Sequence, residues 1–79
     1  MKARIYVTLK SGVLDPQGKA VMGALKSMSF DEVSDVRIGK YMELEVNAGS
    51  KELAEARIRE MCEKLLANTV IENYRIEIE

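Results

Sequence analysis

Seventy-nine residues form one domain at most, and a chain this short buries a smaller share of its surface than a longer one does. Two common reinforcements are excluded, because Cys62 is alone and cannot form a disulfide framework, and without histidine a single cysteine cannot build a zinc site. A net charge of -1, with 32% charged and 47% hydrophobic residues, suits a folded chain and lacks the basic footprint of a nucleic-acid binder.

No apolar run approaches ~18 residues, and the amino terminus runs directly into an alternating segment, so neither a membrane span nor a signal peptide is expected. The expected location is the cytoplasm. Oligomerisation is the remaining common route to stability for so small a chain.

From Ala3 to Leu9 the residues alternate. Ala3, Ile5, Val7 and Leu9 lie on one face and Arg4, Tyr6, Thr8 and Lys10 on the other, which predicts a half-buried strand. Tyr6 and Thr8 suit a sheet surface that either meets solvent or packs on another subunit.

A helix start follows. Asp15 reads as an N-cap whose carboxylate accepts from a free backbone N–H, and Pro16 at the first helical position has no N–H to leave unpaired. Gly18 stands where a capping box would place Glu or Gln. Either something needs close access to that backbone, or the first turn simply tolerates glycine. The helix is predicted from Pro16 to about Met28, with Ala20, Val21, Ala24, Leu25 and Met28 as its apolar stripe. Ser29 to Asp35 then connects, with Phe30 and Val33 expected over one end of the core.

Between Val36 and Val46 the even positions Val36, Ile38, Met42, Leu44 and Val46 are apolar, and Lys40 alone breaks the rule. A two-residue hairpin at Gly39-Lys40 would mix the faces, because directly paired residues point the same way. A long strand bent or bulged near Gly39 keeps the pattern, and so does a hairpin pairing Ile38 with Met42; the long strand is preferred. At ~11 residues it would exceed the usual strand length about twofold and could extend beyond its own sheet.

Ser50 is the expected N-cap of a second helix from Lys51 to about Ala67, with Ala54, Ile58, Met61, Cys62 and Leu65 as its stripe. Glu55 with Arg59 and Glu60 with Lys64 are outer-face pairs spaced i,i+4. Asn68 is expected to end the helix in a left-handed conformation. Tyr74, Ile76 and Ile78 then alternate with Arg75, Glu77 and Glu79 as a last strand. The order predicts an α+β two-layer sandwich, a mostly antiparallel sheet with two helices on one face, related to the ferredoxin-like arrangement or a subunit-exchanged form of it.

Catalytic chemistry is not visible. Cys62 falls in an apolar stripe with no histidine to activate it, and Glu43 and Glu45 read as a solvated strand face. No Walker loop, dinucleotide fingerprint or nucleophile elbow occurs. The start of the first helix, with free N–H groups at Gln17 and Gly18 and with Lys19 nearby, could receive an anion.

Three segments carry a more specific signal: Val13-Leu14-Asp15-Pro16-Gln17-Gly18, Val36-Arg37-Ile38-Gly39-Lys40-Tyr41-Met42-Glu43-Leu44, and the stretch from Met61 to Tyr74. In that order and spacing they closely resemble the PurS family, the small subunit of phosphoribosylformylglycinamidine synthase. The resemblance covers essentially the whole chain. It implies a non-catalytic subunit in purine biosynthesis that bridges a glutaminase subunit and a synthetase subunit as a homodimer or homotetramer. It implies further that ATP, Mg and glutamine are used by the complex, with no cofactor bound by this subunit.

The contacts expected on this reading are Asp15, Gln17, Gly18 and Lys19 at the helix start and Arg37, Gly39 and Lys40 at the strand bend. Asp15, Gly39 and Pro16 have an equally good reading as residues that only fix the backbone. A small-molecule-binding regulatory α+β module is the alternative. An acylphosphatase-like enzyme shares the element order, but Ser11-Gly12-Val13 supplies no arginine for its phosphate loop.

Overall fold

The alternation in the first segment does produce a strand, and that strand becomes the middle of the sheet. The computed structural model describes residues 1–79. Its elements are β1 (Lys2–Leu9), α1 (Pro16–Ser27), β2 (Gly39–Glu45), α2 (Lys51–Met61) continued by one π-helical turn (Cys62–Leu66), and β3 (Glu72–Ile78). The sheet order is β2-β1-β3, both pairings antiparallel.

The registers sort the residues by face. Ala3, Ile5 and Val7 stand opposite Leu44, Met42 and Lys40 on one side and opposite Ile78, Ile76 and Tyr74 on the other, so these share the inner face. Arg4, Tyr6 and Thr8 meet Glu43, Tyr41 and Gly39, and also Glu77, Arg75 and Asn73, on the outer face.

Ser50 caps α2 as expected, accepting from the Leu53 N–H at 3.1 Å. Its buried residues Ala54 and Ile58, followed by Cys62, lie over the inner face beside β3, and the core consists of Ala3, Ile5, Val7, Ile58, Cys62 and Ala67. The outer pairs Glu55–Arg59 at 2.9 Å and Glu60–Lys64 at 3.7 Å form where the spacing placed them.

Several expectations change. The helix does not end on a left-handed Asn68. It widens into the π turn and stops at Ala67 in extended backbone, while the Asn68 N–H donates to the Glu72 carboxylate and the Asn68 carbonyl accepts from Ile71 and Glu72. The long middle strand is shorter than its pattern: β2 starts at Gly39, because the Ile38 N–H is taken by Asp15 instead of by a strand neighbour. Phe30 is exposed and Val33 half-buried, and neither belongs to the core.

The larger departure concerns α1. Of the two helices only α2 covers the sheet. α1 extends away from it, and Gly18 is its one buried residue, leaving Ala20, Val21, Ala24 and Met28 exposed and Leu25 half-buried. The molecule measures 51 × 25 × 14 Å, with a radius of gyration of 16.0 Å, against about 12 Å for a compact chain of this length.

With so few fully buried side chains, each matters. Ile58→Ala should lower the unfolding free energy by about 2–5 kcal/mol, read as a fall in the denaturant midpoint; an unchanged midpoint would contradict this description of the core.

Candidate functional site

The residues singled out in the sequence converge on the root of α1. Asp15 is almost completely buried, at 4% exposure. One carboxylate oxygen accepts from the Gly18 N–H at 2.8 Å, the capping bond that the sequence predicts, and the other accepts from the Ile38 N–H at 2.7 Å. A single side chain therefore joins the first turn of α1 to the segment entering β2.

Gly18 resolves the question raised by its position. A Cβ there would collide with the Val36 carbonyl oxygen and crowd the Asp15 carboxylate, so the glycine is required by the close approach of two backbones. Gly39 has a similar cause, since a Cβ would lie 2.5 Å from the Val7 carbonyl oxygen.

Arg37 completes the brace. Its Nη1 donates to the Val13 carbonyl at 3.0 Å and its Nη2 to the Lys10 carbonyl at 3.2 Å, so the guanidinium bridges the loop leaving β1 instead of standing on an outer strand face. Lys40 shares the inner face with Val7, and its Nζ lies 3.7 Å from a Glu72 carboxylate oxygen. Glu72 was missed in the sequence. The available signal was parity: Lys40 and Glu72 are the two charges on otherwise apolar faces, and the registers bring them to the same end of the sheet.

Asp15 forms the wall between two shallow clefts. The first, about 390 Å³, is lined by Gln17, Gly39, Lys40 and Glu72; the second, about 310 Å³, by Lys19, Asp35 and Arg37. All seven candidate residues thus gather at one junction. Asp15, Gly18, Arg37 and Gly39 hold its geometry, Asp15 and Gly18 from buried positions; the other five are exposed.

On the outer face the polar groups satisfy one another. The Tyr6 hydroxyl donates to Glu77 at 2.9 Å, Arg75 stacks 4.1 Å from the Tyr6 ring centroid, and the Tyr41 hydroxyl donates to Glu43 at 2.8 Å. Cys62 is buried in the core, and burial pushes its thiol pKa up, the opposite of an activated nucleophile.

The Ile38 and Gly18 N–H groups hold the Asp15 carboxyl below its ordinary range, with burial opposing and the Arg37 charge assisting. A depressed folded-state pKa means that the unfolded chain takes up the proton first as pH falls. The contribution is therefore complete above the ordinary carboxylate pKa of about 3.9 and lost as pH drops through the folded value. Asp15→Asn should lower the melting temperature at pH 7 and flatten the acid limb of the stability profile, measured by thermal unfolding from about pH 2 to about pH 7. A variant with the same acid limb as the parent would show that Asp15 is not the group responsible.

Comparison with known proteins finds matches over nearly the whole chain. The family model described as "PurS: Phosphoribosylformylglycinamidine (FGAM) synthase" matches residues 2–79. Phosphoribosylformylglycinamidine synthase subunit PurS of Bacillus subtilis is 60% identical over 78 residues, covering 99% of this chain and 92% of that protein. The corresponding subunit of Archaeoglobus fulgidus is 47% identical over 76 residues, covering 96% and 95%. Among solved structures, B. subtilis PurS in a C2 crystal form aligns with a TM-score of 0.89 over 99% of this chain and 96% of that one. The structure of PurLQS from Thermotoga maritima contains a chain that aligns with a TM-score of 0.89 at 37% identity, over 96% and 93%. On its sequence and its fold, this chain belongs to the PurS family.

Proposed function

We propose that the chain is the non-catalytic small subunit of phosphoribosylformylglycinamidine synthase, bridging a glutaminase subunit and a synthetase subunit in purine biosynthesis. The observation that carries this reading is the incompleteness of the isolated chain. Its surface of 5579 Å² exceeds the value of about 4,800 Å² expected for a compact monomer of its mass. The excess, roughly 800 Å², is about what each partner contributes to a standard protein interface.

Self-association accounts for the first part of that surface. α1 carries an apolar stripe that no other element covers, and Met42, Leu44 and Val46 on the inner face are only half-buried. A homodimer, alone or paired into a homotetramer, in which α1 of one copy covers the β2 side of another copy's inner face would bury both and restore two helices to one face of the sheet. Further surface then serves the larger subunits. Gln17, Lys19 and Lys40 are exposed polar contacts at the junction, and Leu65 and Val70, each 81% exposed, are apolar ones at the corner between α2 and β3.

The division of labour follows. ATP, Mg and the ribonucleotide belong to the synthetase subunit, glutamine to the glutaminase, and this chain contributes surfaces that hold the two in register for ammonia transfer. A PurLQS assembly from Thermotoga maritima, which contains a chain of this fold, supports that reading.

Two measurements test it. Glutamine-dependent amidation of formylglycinamide ribonucleotide, reconstituted from purified subunits, should require this chain, while the chain alone should show neither glutaminase nor ATPase activity. Full activity from the two larger subunits alone, or turnover by this chain unaided, would overturn the proposal. For self-association, Leu25→Asp should reduce the sedimenting mass to that of a monomer without unfolding the sheet; an unchanged mass would contradict the assignment of the α1 stripe.

A further inference from the structure

We propose that the Asp15 junction is a preset elbow that fixes the direction of α1 before a second copy captures it. This rests on the reading that α1 is covered by a second copy, and goes beyond it by assigning Asp15 and Arg37 as positioning residues for assembly.

The observation behind it is a contrast within one element. No other element covers the shaft of α1, yet four side-chain hydrogen bonds and one close backbone approach brace its root. Asp15 ties the Gly18 N–H to the Ile38 N–H, Arg37 ties the segment entering β2 back to the Lys10 and Val13 carbonyls, and Gly18 admits the Val36 carbonyl against the helix backbone. The chain leaving β1, the start of α1 and the chain entering β2 are thereby locked together, and β1 and β2 are themselves paired. A helix of twelve residues is marginal in water by itself. Asp15 and Pro16 nucleate its first turn, and the brace sets where that turn points.

A stripe that must find a partner's sheet loses less freedom on docking if its direction is already set. An arm on a loose tether would have the same contacts when docked but would pay the orienting entropy at that moment, and its association would be weaker by that amount. The junction therefore acts on affinity through the free state of the chain, without needing to touch the partner.

The test separates elbow from shaft. Asp15→Asn and Gly18→Ala alter the elbow, Leu25→Asp alters the shaft, and Arg37→Lys is a milder elbow variant should either of the first two lose β1 amide protection. The self-dissociation constant is measured by sedimentation. The direction of α1 is read in the monomeric Leu25→Asp background, from the distance distribution between spin labels placed with Lys26→Cys and Asn73→Cys; Cys62 is buried and stays unlabelled. The elbow variants should weaken self-association by about tenfold with β1 protection retained, and should broaden the label distances. Association that falls with Leu25→Asp but not with the elbow variants, or label distances that stay narrow in them, would overturn the elbow alone. Association indifferent to Leu25→Asp would overturn the reading it rests on and, with it, the purpose given to the elbow.

Discussion

A single buried carboxylate, shared between the first turn of one helix and the strand entry twenty-three residues later, sets the layout of this chain. With one oxygen on Gly18 and the other on Ile38, Asp15 decides where α1 begins, where β2 begins and how the two lie relative to each other. Both bonds go to backbone donors that a burial this deep would otherwise leave unsatisfied, which makes the residue hard to replace by anything of different length or charge. The glycine beneath it and the arginine behind it follow from the same need to bring two backbones together at the root of an exposed helix.

The consequence is a molecule built for company. A three-stranded sheet with one helix on it buries few side chains, and a domain that small ordinarily needs a staple. The lone cysteine excludes one kind of staple, and the uncovered apolar face of α1 is available for another. The charged and aromatic outer face, by contrast, is internally satisfied by tyrosine–carboxylate bonds and an arginine stacked on Tyr6, and such exposed pairs contribute little to stability. In the proposed dimer, stability and assembly draw on the same surface.

The local features of this fold were legible because their causes are local. Alternation in β1, the Asp15 and Ser50 caps and the i,i+4 pairs on α2 depend on residues within a turn of one another, and they stand where the pattern put them. The position of α1 was not legible, because an amphipathic stripe states that a face will be covered without stating by what. The even-position apolar pattern ran on through Val36 and Ile38 although the ladder did not, since periodicity cannot see a carboxylate that arrives from another part of the chain. Glu72 was missed because its partner Lys40 lies across the sheet, and only the register of both outer strands brings them together. The gathering of all the candidate residues at one junction was visible in part: Gly18 and Lys40 each broke a local rule, and both departures proved to have a structural cause.

In the proposed assembly α1 is a helix completed by a second copy. Hydrogen exchange of individual backbone amides, followed as the protein is diluted, tests it directly. Protection in α1 should fall with dilution while that in β1 holds steady, because of these two elements α1 is the one completed by the neighbouring molecule. Protection in α1 that stays as high as in β1 at every dilution would contradict the account.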